Sequence, residues 1–483
     1  MPETKQHDIV VLGGGPGGYA VAFRAVARGL DVALVEADKI GGTCLNRGCI
    51  PSKSILHVAE TLAELERANQ YGLKFTYEGL DGDQLDAFRE KVMDTLRGGL
   101  ESLVKKRTTL HVGRGEIVDA GSRGVSVKVT AQDGTETMVS AKNVVIATGS
   151  VPRSIPGIDV DGTVVQTSDE ALWFKTAPKR AVIIGAGAIG MEFASMWKPM
   201  GTEVTVVEAL DRVLPLEDAD TSKAVARAYK KRKITVLTGA KVKDVKVKGG
   251  QARVTIDVKG KTDTLEADVV LMAIGRGPRS SGIGADSLGV LDERGFVRAD
   301  DRGRALDANG AHVAGVWAVG DVLPTLALAH AAFAEGFVVA DEIAGKPTVP
   351  VDYDQVPKVT YCHPEAASVG LTQAQAQEKF GAAEVACTTY SLKANAKGII
   401  ANSDGFVKIV ALKHGPGAEG DGEVLGVHVV GPHATDLIAE ATLATAWGAL
   451  PSELAAITHA HPTLYEAMGE AFQAAAGLPF HGH

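Results

Sequence analysis

Four consecutive apolar residues, Ile9-Val10-Val11-Leu12, follow a polar start and predict a buried strand. A Gly-rich turn comes next, then an Ala-rich stretch over 19–28 that predicts a helix. Val32-Ala33-Leu34-Val35-Glu36 predicts a second buried strand. The same order recurs at Ala181-Val182-Ile183-Ile184, a second Gly-rich turn, a helix to about residue 200, and Val204-Thr205-Val206-Val207-Glu208. The repetition implies two nucleotide-binding units in one chain. Between them, 59–67 and 85–105 read as amphipathic helices, and 109–140 reads as short strands. Val144-Val145-Ile146-Ala147-Thr148-Gly149 and Asp268-Val269-Val270-Leu271-Met272-Ala273-Ile274-Gly275 each predict a buried strand running into a turn. Trp317-Ala318-Val319-Gly320-Asp321 reads as a return to the first unit. After Pro350 the pattern changes to strands and helices with a helical tail, which implies a separate C-terminal domain.

Composition narrows the class. With 483 residues the chain is too long for one core, and 45% hydrophobic content with 56 glycines suits a multidomain α/β protein. The formal net charge is -9 and no basic stripe is present, which argues against nucleic-acid or anionic-membrane partners. The run Lys230-Lys231-Arg232-Lys233 reads as a solvated helix end. Four cysteines are too few for a disulfide-stapled secreted scaffold. No targeting segment or membrane-length apolar run is seen, so a cytoplasmic protein is expected. In that compartment a disulfide is catalytic more often than structural.

Gly13, Gly15 and Gly18 form G-x-G-x-x-G, and Glu36 ends the following strand. Glycines allow a tight turn and close approach to a pyrophosphate, the helix N-terminus faces the phosphates, and the acid accepts ribose hydroxyls. Gly185, Gly187 and Gly190 repeat the motif, with Glu208 as the acid. An acid at that place favours NAD over NADP. Cys44 and Cys49 lie just behind the first motif. Residues five apart in an ideal helix have Cα atoms roughly 8–9 Å apart, whereas a disulfide needs less than about 7 Å. A bridge between them therefore requires a distorted helix, which Gly48 permits, and a strained bridge is easily reduced. Near the C-terminus, His459-Ala460-His461-Pro462-Thr463-Leu464-Tyr465-Glu466 offers an imidazole with a carboxylate five positions on, suited to acid–base work. Pro462 is a candidate for a cis peptide. Cys362 and Cys387 have no partner at useful spacing and are expected to be buried or semi-buried thiols. No His/Cys cluster has zinc spacing, so no metal is expected.

These motifs together resemble the flavin-dependent pyridine nucleotide–disulfide oxidoreductases, from about residue 7 to about residue 472. The resemblance is carried by Gly41-Gly42-Thr43-Cys44 through Lys53, Ala147-Thr148-Gly149, Gly320-Asp321 and Leu328-Ala329-His330-Ala331. It extends through Tyr361-Cys362-His363-Pro364-Glu365, Val369-Gly370-Leu371-Thr372, Leu425-Gly426-Val427-His428 and the segment from His459 to Glu466. One departure is Cys362, where the family often has Thr. The resemblance implies two Rossmann-like dinucleotide-binding domains and a C-terminal α+β dimerisation domain. Residues 1–150 and 280–349 would form the FAD-binding part, 151–279 the NAD-binding domain and 350–483 the interface domain. Gly13, Gly15 and Gly18 would hold the FAD pyrophosphate and Glu36 its ribose. Lys53 would sit beside the isoalloxazine and Asp321 on the ribityl chain. Thr148, Gly149, Gly275 and Ala329 complete the expected cofactor-binding residues. Gly185, Gly187, Gly190 and Glu208 would hold NAD, with Glu192 near Lys53 and the nicotinamide. A homodimer would bring His461, backed by Glu466, to the other subunit's disulfide.

Within the family the residues point to the branch that oxidises protein-bound dihydrolipoamide and reduces NAD. Its partners would be the lipoyl domains and acyltransferase core of a 2-oxoacid dehydrogenase complex. Glutathione-type reductases carry basic residues where this chain has Glu208, and mercuric reductases add a cysteine pair that the tail lacks. A chiefly structural subunit of such a complex is the alternative from another class.

Overall fold

The computed structural model describes residues 6–74, 76–415 and 422–481. Within them the chain forms two compact units. The first comprises the stretch up to Ser54 with Asp81–Arg153 and Gly275–Tyr353; the second comprises Ile55–Leu80, Ser154–Ile274 and the chain from Asp354 onward.

The first unit is built on β1 (Gln6–Leu12), α1 (Pro16–Ala27) and β2 (Val32–Glu36), the strand–helix–strand order read from the sequence. Two helices follow, α2 (Gly42–Arg47) and α3 (Cys49–Glu66), then the long α4 (Gly82–Arg107). Strands β3 (Thr109–Val112), β4 (Arg114–Gly121), β5 (Gly124–Thr130) and β6 (Glu136–Ile146) come next. The sheet order is Arg304–Leu306, His312–Ala318, β6, β1, β2, β3, with β4 and β5 as an antiparallel extension from β6. β1 pairs in parallel with both β2 and β6, so its residues Ile9 to Leu12 are buried on both faces. Strand His312–Ala318 pairs in parallel with β6, which is the expected return to this sheet.

The second unit holds a parallel sheet in the order Thr235–Leu237, Glu203–Val207, Arg180–Ile184, Val269–Met272, Val165–Gln166. A three-stranded antiparallel sheet covers residues 240–267. The C-terminal part is a five-stranded antiparallel sheet ordered Lys358–Thr360, Glu365–Gly370, Val424–Gly431, Phe406–Leu412, Val385–Ser391. Helices Ala434–Ala446 and Glu466–Ala475 bury Ile438, Met468 and Phe472 in the core built on it. Among the described residues no helix is long and apolar enough to cross a membrane.

Two expectations fail locally. Cys387 is exposed rather than buried or semi-buried: on the edge strand Val385–Ser391 the buried positions are Val385 and Tyr390. The basic run at 230–233 is not simply solvated. Arg232 donates to the Ser195 side chain at 3.1 Å and to the His363 carbonyl at 2.8 Å, so one of its four cations is a packing element.

The glycines separate into those the protein itself requires and those it does not. An added Cβ at Gly18 would stand 1.8 Å from the Gly13 carbonyl oxygen, whereas at Gly98, inside α4, it would meet nothing within 4 Å. Gly98→Ala is therefore expected to raise stability by about 0.5–1 kcal/mol. Gly18→Ala is expected to lower it by about 1–3 kcal/mol or more. Thermal midpoints of the two variants, measured side by side, check the contrast.

Candidate functional site

The two Gly-rich turns have nearly superimposable local chemistry. Gly13 has φ +110° and Gly185 φ +107°, so both occupy backbone that side chains rarely adopt. A Cβ at Gly13 would lie 2.3 Å from the Ala147 oxygen, and one at Gly185 would lie 2.4 Å from the Ala273 oxygen. The third glycines, Gly18 and Gly190, are pressed against the carbonyls of Gly13 and Gly185, at 1.8 and 2.0 Å from a notional Cβ. The middle glycines differ. At Gly187 nothing lies within 4 Å, and at Gly15 only the Gly42 Cα does, at 3.7 Å. The first and third positions thus serve the turn, and the middle one leaves the open approach that a pyrophosphate needs.

The acids that end the following strands hold these turns. Glu36 accepts the Gly14 N–H at 2.7 Å and the Asp38 N–H at 2.8 Å. Glu208 does the same with Ala186 at 2.6 Å and Leu210 at 2.8 Å. Each carboxylate is therefore oriented by backbone before any ligand arrives. Arg212 donates to the Pro215 carbonyl at 2.9 Å.

The cysteine pair is positioned by the first turn. The Gly41 N–H donates to the Gly14 carbonyl at 2.8 Å. Gly41 (φ +100°) and Gly42 (φ +56°) then start α2, and a Cβ at Gly42 would come 2.7 Å from the Gly15 Cα. Buried Asn46 donates to the Ile40 and Gly42 carbonyls, both at 3.0 Å, and accepts from Arg97 at 3.0 Å. The helix breaks at Gly48 (φ −142°, ψ −108°), between α2 and α3. That is the distortion the five-residue spacing requires, and it brings the Cys44 and Cys49 sulfurs within hydrogen-bond reach of each other. The Cys44 thiol is pushed far up by its hydrogen bond to Cys49 and by burial, while Lys53 pulls the other way. The Tyr19 phenol, raised to about 12 by burial and by the two cysteines, stands close to this pair.

The first unit also places Thr148, Gly149, Asp321, Gly275 and Ala329. Gly149 has φ +73° and Gly275 φ +107°. Ala329 begins the helix Ala329–Ile343. Asp321 accepts from the Ser150 hydroxyl at 2.6 Å, and Ser150 accepts from Arg276 Nε at 2.7 Å. Buried Glu335 accepts from the Gly320 N–H at 2.5 Å, Thr325 at 2.9 Å and Tyr353 at 2.8 Å, and burial holds its carboxyl above the usual range. Sequence reading singled out none of Ser150, Arg276 or Glu335; the only signal was their nearness to Gly149, Gly275 and the 328–331 motif. Thr148 Oγ1 is buried with no hydrogen-bond partner. Such a group costs about 1–3 kcal/mol unless something pairs with it. An orphaned hydroxyl beside an open glycine turn fits a bound dinucleotide.

In the second unit, Glu192 is buried and accepts the Tyr361 N–H at 3.0 Å. His461 shares a 2.8 Å hydrogen bond between Nδ1 and Glu466 Oε1, and Glu466 Oε2 accepts the Thr463 N–H at 2.6 Å. Desolvation opposes the Glu466 charge, but the Thr463 and His461 contacts outweigh it and hold this carboxyl below its usual range. The His461 side chain is 78% exposed, so Nε2 is presented outward. His461-Pro462 is a cis peptide. The loop is tied down by other residues of the same segment and by Glu440, which the sequence did not single out. His459 Nε2 meets Glu440 at 2.9 Å and its Nδ1 meets the Ile457 carbonyl at 3.1 Å. Tyr465 stacks on the same ring at 5.2 Å and accepts the Ala460 N–H at 2.8 Å. Cys362 is fully buried, donates to the Pro364 carbonyl at 3.0 Å and is pushed up to about 12 by burial, which makes it an inert packing thiol.

Replacing Thr148 with Val tests whether its unpaired hydroxyl faces a ligand. The apoprotein is expected to keep or gain stability, by about 1 kcal/mol, while flavin is retained less tightly. Thermal midpoints with and without added FAD check this.

Residues 7–336 match the family model for pyridine nucleotide-disulphide oxidoreductase, and residues 356–472 match the dimerisation domain of that family. The dihydrolipoyl dehydrogenase of Bacillus subtilis is 39% identical over 484 residues, 99% of this chain and 99% of that protein. The dihydrolipoyl dehydrogenase of Corynebacterium glutamicum is 40% identical, over 98% of this chain and 99% of that protein. Among solved structures, LpdA from Mycobacterium tuberculosis has a TM-score of 0.87 at 28% identity, covering 97% of this chain and 99% of that one. Two dinucleotide turns, a thiol pair against the first and a full-length match of this kind lead to one conclusion: the chain belongs to the pyridine nucleotide-disulphide oxidoreductase family.

Proposed function

We propose that this protein is a dihydrolipoyl dehydrogenase, which oxidises protein-bound dihydrolipoamide to lipoamide and reduces NAD⁺ to NADH. The observation that carries the reading is the thiol pair Cys44–Cys49, set on a broken helix against the first dinucleotide turn, in a chain 39% identical to such an enzyme over 99% of both lengths. It works as a homodimer, consistent with the dimerisation-domain match over 356–472. Its partners are the lipoyl domains and the acyltransferase core of a 2-oxoacid dehydrogenase complex, and its compartment is the cytoplasm.

In this reading Gly13, Gly15, Gly18, Glu36, Thr148, Gly149, Asp321, Gly275 and Ala329 bind FAD, with Lys53 beside its ring. Gly185, Gly187, Gly190, Glu192 and Glu208 bind NAD. FAD supplies the two-electron relay between the cysteines and NAD⁺. The chain's own residues handle the thiol chemistry. The partner subunit's His461, steadied through Nδ1 by Glu466, accepts a proton at Nε2 from one substrate thiol. The thiolate attacks Cys44 Sγ, breaking the Cys44–Cys49 bond and releasing the Cys49 thiolate. The second substrate thiol then attacks the substrate sulfur of the mixed disulfide, its proton passing to the departing Cys44 sulfur, which closes lipoamide and leaves both electrons on the reduced cysteine pair.

Cys44→Ser and Cys49→Ser are each expected to abolish NADH formation from dihydrolipoamide while FAD stays bound; near-normal turnover in either sinks the proposal. His461→Gln is expected to lose roughly 10²–10⁴-fold of the thiol-dependent rate, the usual worth of a general base. Steady-state kinetics with free dihydrolipoamide reads all three.

A further inference from the structure

The second unit buries a lysine that the thiol chemistry does not use. Lys408 lies on the strand Phe406–Leu412, and its side chain is 2% exposed. Its Nζ donates to Asp218 Oδ1 at 2.8 Å, Asp220 Oδ2 at 2.7 Å and Gln373 Oε1 at 2.8 Å. Three acceptors match the three N–H groups of an ammonium. Asp218, also 2% exposed, is the N-cap of the helix Ala219–Lys231, where it accepts the Asp220 N–H at 3.0 Å. Its second oxygen accepts the Gln373 N–H at 3.1 Å. Burial opposes both charges. The contacts still hold Asp218 below the usual carboxylate range and Lys408 above the usual lysine range.

The surroundings close the cluster. Glu217, raised by burial, accepts from the Ser368 hydroxyl at 2.6 Å. His428 is completely buried, with Nε2 at 3.1 Å from the Leu371 carbonyl, and burial lowers it to about 4, so it is neutral.

What the cluster grips is the segment that leaves the NAD-binding strand. Glu208 ends that strand. Six residues on, the Leu214 N–H donates to the Ala186 carbonyl at 2.8 Å, and Ala186 itself donates to Glu208 at 2.6 Å. The Glu217 N–H donates to the Leu214 carbonyl at 2.9 Å, and Asp218 follows directly. A continuous chain of contacts thus runs from Lys408 through Asp218, Glu217 and Leu214 to the second glycine turn and its ribose acid. Leu214 holds φ +43°, a strained value for a branched side chain, so the segment is over-determined.

We infer that Lys408 is a positioning residue for the pyridine nucleotide: by clamping Asp218 and Asp220 it fixes the 209–218 segment that sets Glu208 against the ribose. This rests on the reading of the second glycine turn as the NAD site. A buried ion pair kept only for stability predicts no selective effect on nucleotide binding.

The test is NAD⁺ binding to the oxidised, flavin-loaded dimer, followed by fluorescence titration, with steady-state KM for NAD⁺ and the anaerobic rate of enzyme reduction by dihydrolipoamide measured alongside. Lys408→Met is expected to raise the NAD⁺ Kd and the KM for NAD⁺ roughly 3- to 30-fold, leaving the rate of reduction by dihydrolipoamide within twofold of the parent. Should Lys408→Met fail to fold, Asp218→Asn, which retains a helix-capping side chain, is expected to shift both constants in the same direction. Nucleotide constants within twofold of the parent, or an equal loss in the dithiol rate, would overturn the inference. If the parent protein itself binds no NAD⁺, the reading of the second turn falls instead.

Discussion

The close approach of the Gly41-Gly42 backbone to the first glycine turn is the constraint on which the placement of the cysteine pair depends. The Gly14 carbonyl holds the Gly41 N–H at 2.8 Å, and Gly42 leaves no room for a Cβ against Gly15. The first glycine turn and a thiol-bearing helix are thereby built as one object. Their separation is set by backbone contact rather than by side chains that can swing. The break at Gly48 then brings Cys49 back towards Cys44, and Asn46, bonded to two carbonyls and to Arg97, locks the short helix between them. Electron transfer through a thiol pair demands such fixed distances, since a misplacement of about 1 Å can cost about 10²-fold in rate.

Ion pairs tie segments distant in sequence together in both units. Asp341 is held far below the usual carboxylate range by Arg28 and Arg24, joining the helix after Ala329 to α1. Gly17 and Gly336 let those two helices meet closely, since a Cβ at Gly336 would touch Ala20 and the Gly17 carbonyl at 3.0 Å. In the second unit the Lys408 cluster ties the segment around Asp218 to the C-terminal sheet. The Glu440–His459 pair ties down the loop that carries His461.

Much of this was legible in the chain itself. Both glycine turns, both strand-end acids and the His461–Glu466 pair could be read because residue type and spacing within short motifs carry their chemistry. The helix break at Gly48 followed from comparing a five-residue spacing with disulfide reach. Partners distant in sequence were not legible. Ser150 reaches Asp321 across 171 positions, and Lys408 reaches Asp218 across 190, through sheet pairings that no short window reveals. Arg232 looked like one cation among four, yet its guanidinium closes a network with Ser195 and His363. Cys387 looked buried or semi-buried by residue type, yet it is exposed on its edge strand.

The central claim is that Cys44 and Cys49 exchange two electrons with a dithiol substrate as a pair. Peptide mass spectrometry of the flavin-loaded protein, alkylated before and after anaerobic addition of one equivalent of dihydrolipoamide, tests it most directly. The account predicts a cross-linked peptide joining residues 44 and 49 beforehand and two alkylated cysteines at those positions afterwards, with Cys362 and Cys387 unchanged. A cysteine pattern that dihydrolipoamide leaves unaltered, or a change confined to Cys362 or Cys387, would contradict it.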